Sequence, residues 1–290
     1  MFQRLLICTD FADANHRLIH FVPNLIAAGV KQVTFLHVVA LEQAAIPVPD
    51  EKKIKEAQEQ LQPALDHESE HMHVEVRVES GDKPSDVIAH IVHEENFDLV
   101  VLGTPTRSLL TQKLFGSTAM NVFQKVSTPI MILRPQLIAT YSSEELALRC
   151  QHLFRCFLIP YDHSETAQLL VERIKNLVTR DGHSPLKRLH LCWVVDTTRG
   201  LPVEFRVQEA HRILEQVRQD LSPLDLMVDP AEVRQGDPIT EILNAAQMAD
   251  VSAIVTSSGE LTKKISLLGS SFAAELLRRS WHPLILFPAR

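Results

Sequence analysis

The sequence repeats itself at about half its length, and this repeat restricts the possible folds more than any other feature. An apolar run that ends in Asp10 opens the chain, and a similar run that ends in Asp162 opens its second half. Three further landmarks recur in the same order: Gly81-Asp82 as Gly236-Asp237, Gly116-Ser117 as Gly269-Ser270, and Thr128-Pro129 as His282-Pro283. Each recurs roughly 150 residues further on, which predicts a tandem duplication of one structural unit.

The length of the chain agrees with two domains. A chain of 290 residues is long enough for two units of roughly 100–200 residues. We expect the first domain at residues 1–138 and the second at residues 152–290. Residues 136–152 join them and carry an apolar periodicity around Leu146 and Leu148, which is typical of a short helix rather than a free linker.

Strands and helices alternate within each repeat. In the first half, short apolar runs predict strands at 2–9, 32–39, 73–79, 98–103 and 129–134. Apolar residues at helical spacing predict helices at 51–69, 84–95 and 117–126, and at 164–179 in the second half. Nearly continuous apolar strands are typical of a parallel sheet buried on both faces. The predicted fold class is therefore α/β, with two doubly wound domains that each hold a five-stranded parallel sheet flanked by helices.

Composition excludes several classes of function. The net charge is −7 and neither half is basic, which argues against binding to nucleic acid. No apolar run is long enough to span a membrane, and the first strand leaves no room for a secretion signal, so we expect a cytoplasmic location. The four cysteines lack the spacing of a zinc or redox site, and we expect no metal.

The candidate binding residues lie where ligands bind in doubly wound sheets, beyond the carboxyl ends of the strands. Asp10 and Asp162 end the first strand of each half, and the fourth strands run into Gly103 and Thr256. Nine residues after each following loop, a Gly-Ser step opens a helix. Such a step presents free backbone N–H groups that can hold a phosphate. The alternative interpretation is simpler: Ser117 and Ser270 cap their helices, and the two aspartates shape turns.

These motifs, in this order, resemble those of the universal stress protein family. Nucleotide-binding members of that family carry Gly-x-x-Gly, nine residues, and then Gly-Ser or Gly-Thr. The resemblance covers both halves and implies an adenine nucleotide alpha hydrolase-like fold with ATP or AMP as the ligand, with or without magnesium. The implied contacts are Asp10, Val38, Gly103, Thr106, Gly116 and Ser117 in the first half and Asp162, Val194, Thr256, Gly259, Gly269 and Ser270 in the second.

Each half departs from that motif at one glycine. Thr106 stands at the second glycine of the first loop, and Thr256 at the first glycine of the second loop. A β-branched side chain disfavours positive φ, and Pro105 also removes one N–H donor from the first loop. The second half is therefore the better candidate, and Lys263 and Lys264 in its loop either offset phosphate charge or are solvated surface residues.

Two functions follow from the resemblance. The first is a stress-response protein that binds an adenine nucleotide or a related small ligand. The alternative is a pair of degenerate domains that act as a protein-interaction module or bind another small ligand. No catalytic motif is present, so we expect no enzyme, with slow ATP hydrolysis left open. The resemblance also implies that residues 129–134 pair with residues 283–288 inside one chain, which would then be a monomer or a weak homodimer.

Overall fold

The computed structural model describes residues 1–42, 47–104, 117–134, 138–139, 141–180, 184–197, 202–257 and 272–288. These residues divide into two compact units, Phe2–Gln151 and His152–Arg290. We call them the first and second unit and describe each by itself. None of the helices that the structure describes is both long and apolar enough to cross a membrane.

The first unit contains one parallel sheet. Its strands are β1 (Arg4–Cys8), β2 (Gln32–Val39), β3 (His73–Ser80), β4 (Leu99–Gly103) and β5 (Ile130–Leu133). They lie in the order β3-β2-β1-β4-β5, and every pair is parallel. The order reverses between β1 and β4, so this sheet is doubly wound, and a crevice opens at the carboxyl ends of these two strands. The prediction of a five-stranded parallel sheet is confirmed for this unit.

The helices of the first unit flank that sheet. A 3₁₀ helix at Asn15–Phe21 leads into α1 (Val22–Ala27), and α2 (Glu51–Leu61), α3 (Pro84–Glu94) and α4 (Ser117–Lys125) follow. The helix predicted at 51–69 ends earlier, because a 3₁₀ helix at Gln62–His67 carries Pro63 near its start, where proline cannot continue an α-helical hydrogen-bond ladder.

The segment predicted as a link contains α5 (Ser143–Gln151), which packs against α1 of the first unit. Leu146 and Cys150 are its buried residues. The guanidinium of Arg17 donates to the carbonyl oxygens of Ile138 and Tyr141. These contacts make the segment a part of the first unit's structure.

The second unit repeats this plan. Its strands are β6 (Cys156–Pro160), β7 (Arg188–Val195), β8 (Met227–Val228), β9 (Glu232–Gln235), β10 (Ala253–Ser257) and β11 (Leu284–Phe287). Its helices are α6 (Glu165–Thr179), α7 (Val203–Leu221), α8 (Pro238–Met248) and α9 (Phe272–Arg279). The order is β11-β10-β6-β7, and both β8 and β9 pair with β7. The reversal therefore lies between β6 and β10.

One edge strand differs between the units. In the first unit β3 pairs with β2 along all eight residues. In the second unit the corresponding strand is broken between β8 and β9, so the described residues of this unit form six strands rather than the five predicted. The break contains Pro230, which has no backbone N–H to donate to the ladder.

A buried histidine joins the broken strand to β7. His190 has Nδ1 at 2.9 Å from Oδ2 of Asp229, and its Nε2 contacts the Glu232 carboxylate. Arg188 also donates from Nε to both oxygens of Asp229, at 2.9 Å each. Although burial acts in the opposite direction, the hydrogen bonds from Arg188 and His190 lower the pKa of Asp229. Side chains thus replace the backbone pairing that is lost at the break.

Candidate functional site

The second unit has a cavity at the carboxyl ends of β6, β7 and β10. Its volume is about 240 Å³, just below the roughly 300–1,000 Å³ that is usual for small-molecule sites. We call it the second-unit cavity. The described residues that line it are Pro160, Tyr161, Asp162, Ser164, Thr166, Ala167, Leu170, Cys192, Val194, Pro238, Ile242, Thr256, Ser257, Phe272 and Ala273. Three of the predicted contacts, Asp162, Val194 and Thr256, are brought together there.

One side of the second-unit cavity is the turn that leads from β6 into α6. Asp162 is exposed, and its Oδ1 accepts a hydrogen bond from the backbone N–H of Ser164 at 3.0 Å. His163 has a φ of 62°, which is uncommon for a residue other than glycine. Ser164 is the N-cap of α6 and accepts from the N–H of Ala167 at 3.3 Å. The turn thus fixes the Asp162 carboxylate and the Ser164 hydroxyl in the wall.

Hydroxyl groups are the commonest polar groups of this wall. The Oγ of Ser164 lies 3.1 Å from Oγ1 of Thr166. The buried Tyr161 places its hydroxyl 3.3 Å from Nδ1 of His163 and packs its ring edgewise on Trp193, with 5.9 Å between the ring centroids. Thr256 and Ser257 add two more hydroxyls. Apolar side chains of α6, α8 and α9 form the rest of the described wall.

The strand register revises the predicted equivalence between Thr256 in the second half and Gly103 in the first. Gly103 pairs with Leu133 in β5, and Ser257 pairs with Phe287 in β11. Ser257 therefore occupies the register position of Gly103, and Thr256 lies one residue earlier, where the side chain is buried. The expected equivalence failed by one residue because the segment between the fourth strand and the Gly-Ser step is one residue shorter in the second half.

Two side chains of this wall, Tyr161 and Cys192, are held in their neutral forms. Burial, together with the negative charges of Asp162 and Asp220, raises the pKa of Tyr161. Burial raises the pKa of the Cys192 thiol to about 12, and Glu232 contributes in the same direction. A low dielectric and nearby carboxylates both disfavour negative charge. Both side chains therefore stay protonated at neutral pH.

The first unit has the same turn at the end of β1. Asp10 is exposed, its Oδ1 accepts from the N–H of Ala12 at 2.9 Å, and Phe11 has a φ of 62°. His37, on β2, has its Nδ1 2.8 Å from the carbonyl oxygen of Thr9, and its ring centroid lies 4.6 Å from that of Phe11. Val38 is half-buried on β2, as Val194 is on β7. The duplicated turn is thus conserved in backbone geometry between the units.

A buried carboxylate distinguishes the first unit. Asp13 lies against Gly103, where an added Cβ would be 2.4 Å from Cβ of Asp13. Its Oδ1 accepts from the hydroxyl of Thr9 at 2.9 Å and from the N–H of Asn15 at 3.0 Å. Burial, and then the charge of Asp10, raises its pKa to about 6. This carboxylate occupies the corner between β1 and β4 and explains why β4 ends in a glycine.

Several predicted contacts lie outside the described residues: Thr106, Gly116, Gly259, Gly269 and Ser270. Ser117 is the first residue of α4. The sequence reasoning missed Asp13, Tyr161, Ser164, Thr166, Cys192 and Ser257. A signal existed for Ser164, since serine directly before a helix is a common N-cap. Among the described residues no cluster of three or more metal-ligating side chains occurs.

Comparisons with known proteins agree with this architecture. The model of the universal stress protein family matches residues 1–134 and again residues 154–288. Universal stress protein MJ0577 of Methanocaldococcus jannaschii is 21% identical over 157 residues, which cover 46% of this chain and 96% of that protein.

Two solved structures share the fold over nearly the whole chain. A universal stress protein from Archaeoglobus fulgidus superposes with a TM-score of 0.66 and 19% identity, over 98% of this chain and 96% of its own. A protein of unknown function from Pseudomonas aeruginosa gives 0.59 and 12% identity, over 99% of this chain and 92% of its own. At these identities the likeness concerns the fold. Since the family model matches both halves, this chain belongs to the universal stress protein family and contains two tandem domains of that family.

Proposed function

We propose that this universal stress protein binds an adenine nucleotide or a related nucleoside-type ligand in its second unit. The observation that carries the proposal is the second-unit cavity, which lies at the reversal of strand order and contains Asp162, Val194 and Thr256. A cavity with a mostly apolar wall and a few convergent polar groups is the usual form of a small-molecule site.

The first unit supports this choice by contrast. The Asp13 carboxylate lies at the corner next to Gly103, so a phosphate that approached this glycine would meet a negative charge. Like charges at short range in a partly buried site are strongly unfavourable. We propose that the first unit does not bind the ligand, which agrees with the degenerate motif in its loop.

The two halves offer a matched pair of variants for a test. Val194→Trp fills the second-unit cavity at a half-buried position, and Val38→Trp makes the same change at the corresponding position of β2. We expect Val194→Trp to weaken the binding of the preferred adenine compound by roughly tenfold or more, and Val38→Trp to leave it unchanged, in isothermal titration calorimetry. Loss of binding in Val38→Trp alone would place the site in the first unit.

We propose that binding is not followed by catalysis. The described residues that line the cavity include one carboxylate, that of Asp162, and no lysine, arginine or histidine, whereas general acid–base chemistry needs a positioned pair or a tuned group. Magnesium-dependent phosphate release from ATP would contradict this.

The pairing of residues 129–134 with residues 283–288 inside one chain stays a prediction. Its consequence is a monomer, and light scattering tests whether the mass in solution is near 32.7 kDa.

A further inference from the structure

A group of charged side chains lies next to the second-unit cavity, between β7, the broken edge strand and α8. At its centre, Nδ1 of His190 is 2.9 Å from Oδ2 of Asp229, and Nε2 contacts the carboxylate of Glu232. We call these three residues the histidine cluster. His190 and Cys192 are two residues apart on β7, so their side chains point to the same face of the sheet. Because Cys192 lines the cavity, the imidazole lies next to the cavity wall.

Each ring nitrogen of His190 faces a carboxylate oxygen, which determines how many protons the histidine cluster holds. Although burial acts in the opposite direction, the hydrogen bonds from Arg188 and His190 lower the pKa of Asp229. An ionised carboxylate only accepts hydrogen bonds, so the ring must donate from both nitrogens, as the protonated imidazole does. If Glu232 carries the proton instead, the total is the same. The cluster therefore binds one proton more than a neutral ring and two carboxylates would hold.

One arginine connects the histidine cluster to the C-terminal end of α8. Arg188 donates from Nε to both oxygens of Asp229, and from Nη1 to the carbonyl oxygen of Ala249 at 3.1 Å, directly after the helix ends. The buried residues in this half of α8 are Ala245 and Ala246. Such small side chains bury little apolar area, so polar contacts contribute more to the position of the helix here than they would beside large apolar residues.

A second arginine connects the histidine cluster to the N-terminal half of α8. Arg234 donates from Nε to Glu232 at 2.6 Å and from Nη1 to Glu241 at 3.2 Å. The residue after Glu241 is Ile242, which lines the second-unit cavity, as does Pro238 at the start of the helix. The histidine cluster and the cavity wall are therefore connected through one helix.

The titratable and charged groups around this imidazole come from β6, β7, the broken edge strand, α8 and the turn after it. They are Cys156, Arg188, Cys192, Asp229, Glu232, Arg234, Glu241 and Asp250. Burial raises the pKa of the Cys192 thiol to about 12 and that of the Cys156 thiol to about 11, so both stay protonated at neutral pH. Guanidinium groups keep their charge throughout this range. The exchangeable proton is therefore shared by the imidazole and the carboxylates.

We propose that the histidine cluster is a proton-dependent clamp on α8, and that the second-unit cavity holds its ligand more tightly when the clamp is protonated. Loss of the proton leaves a ring nitrogen with a lone pair against a carboxylate. The carboxylate is repelled and moves together with the arginine that it binds, so α8 and its wall residues lose a fixed position. The effect on ligand binding rests on the proposed function, whereas the effect on α8 does not.

Hydrogen exchange of the full chain without ligand tests the clamp. The protection of the α8 amides, corrected for the intrinsic pH dependence of exchange, should fall by roughly threefold to tenfold from about pH 6.5 to about pH 8.5, because one bound proton changes an equilibrium by at most about tenfold per pH unit. Helix α3 of the first unit is the control, since β2 has Thr34 at the position of His190, and its protection should stay constant. Constant protection of α8, or an equal fall in α3, would overturn the proposal.

Two variants assign the proton to the histidine cluster. Glu232→Gln replaces a carboxylate by an amide that can donate to the ring or accept from it, and His190→Gln removes the ring. Both should abolish most of the pH dependence of α8 protection, whereas His211→Gln, at an exposed position of α7, should retain it. A dependence that persists in both cluster variants would overturn the proposal. The profile of the unchanged chain decides the matter even if a variant fails to fold.

Calorimetric titration with the preferred adenine compound measures the consequence for binding. We expect the affinity to fall by roughly threefold to tenfold over the same pH range. Glu232→Gln should lack this fall, which separates the clamp from any titration of the ligand itself. A loss of α8 protection with no change in affinity would overturn the link between the clamp and the cavity. Failure of ATP, ADP, AMP and adenosine to bind at millimolar concentration would instead overturn the proposed function, and the exchange experiment would still decide on the clamp.

Discussion

At the scale of single side chains, the two units differ in the role of one acidic residue. Asp13 and Glu165 both lie three residues after the aspartate that follows the first strand. Glu165 is exposed in the first turn of α6. Asp13 is instead buried, with 5% of its surface exposed, and packs on Gly103. An acidic side chain at equivalent positions thus lies in the first turn of a helix in one unit and in a corner of the sheet in the other.

The buried carboxylate gives the first unit a pH-dependent stability. Its pKa rises from 3.8 to about 6, so between these values the folded state keeps a proton that the unfolded state releases. The contribution of Asp13 is therefore most favourable below about pH 4 and is lost as the pH rises through about 6.

The Asp13→Asn variant should remove this dependence, because the amide keeps an acceptor for Thr9 and Asn15 and carries no charge. We expect it to stabilise the protein at pH 7.5 by about 1–3 kcal/mol and to have little effect at pH 4. Urea unfolding at the two pH values measures this, with Asp10→Asn as the exposed control. A gain that is equal at both pH values would show that charge is not the cause.

At the scale of elements, much of the first unit could be predicted from the sequence. The strands at 32–39 and 98–103 agree within a residue with β2 and β4, because buried apolar runs between polar turns leave little freedom. The register of Ser257 could not be predicted, since a one-residue difference in loop length is invisible until the strands are paired. The burial of Asp13 could not be predicted either, because the local sequence pattern does not show whether a side chain after a strand points into the protein or into solvent.

The broken edge strand gives a prediction at this scale. His190 connects β7 with Asp229 and Glu232 on either side of the break, whereas β2 has Thr34 at the corresponding position. His190→Thr therefore introduces the residue of the first unit. We expect it to destabilise the second unit by about 1–3 kcal/mol, because two partly buried carboxylates lose a partner.

Chemical denaturation measures this loss, and hydrogen exchange of the β9 amides locates it. His211→Thr, at an exposed position of α7, is the control and should change neither. Unchanged exchange in β9 together with unchanged stability would mean that Arg188 alone holds Asp229 and the edge strand in place.

At the scale of the whole molecule, the two units should respond differently to the ligand. Both tryptophans of the chain, Trp193 and Trp281, belong to the second unit. Tryptophan fluorescence therefore follows the unfolding of that unit alone, whereas circular dichroism follows the helices of both. A ligand that binds only the folded second unit stabilises it by mass action, by about 2.7 kcal/mol at a hundred times the dissociation constant. We expect the preferred adenine compound to raise the midpoint of the fluorescence transition and to leave a part of the dichroism transition unshifted. In Val194→Trp, which is followed by dichroism, the compound should shift neither part. An equal shift of the whole dichroism signal would mean that the units unfold as one cooperative body, and a shift absent from fluorescence would assign the ligand to the first unit.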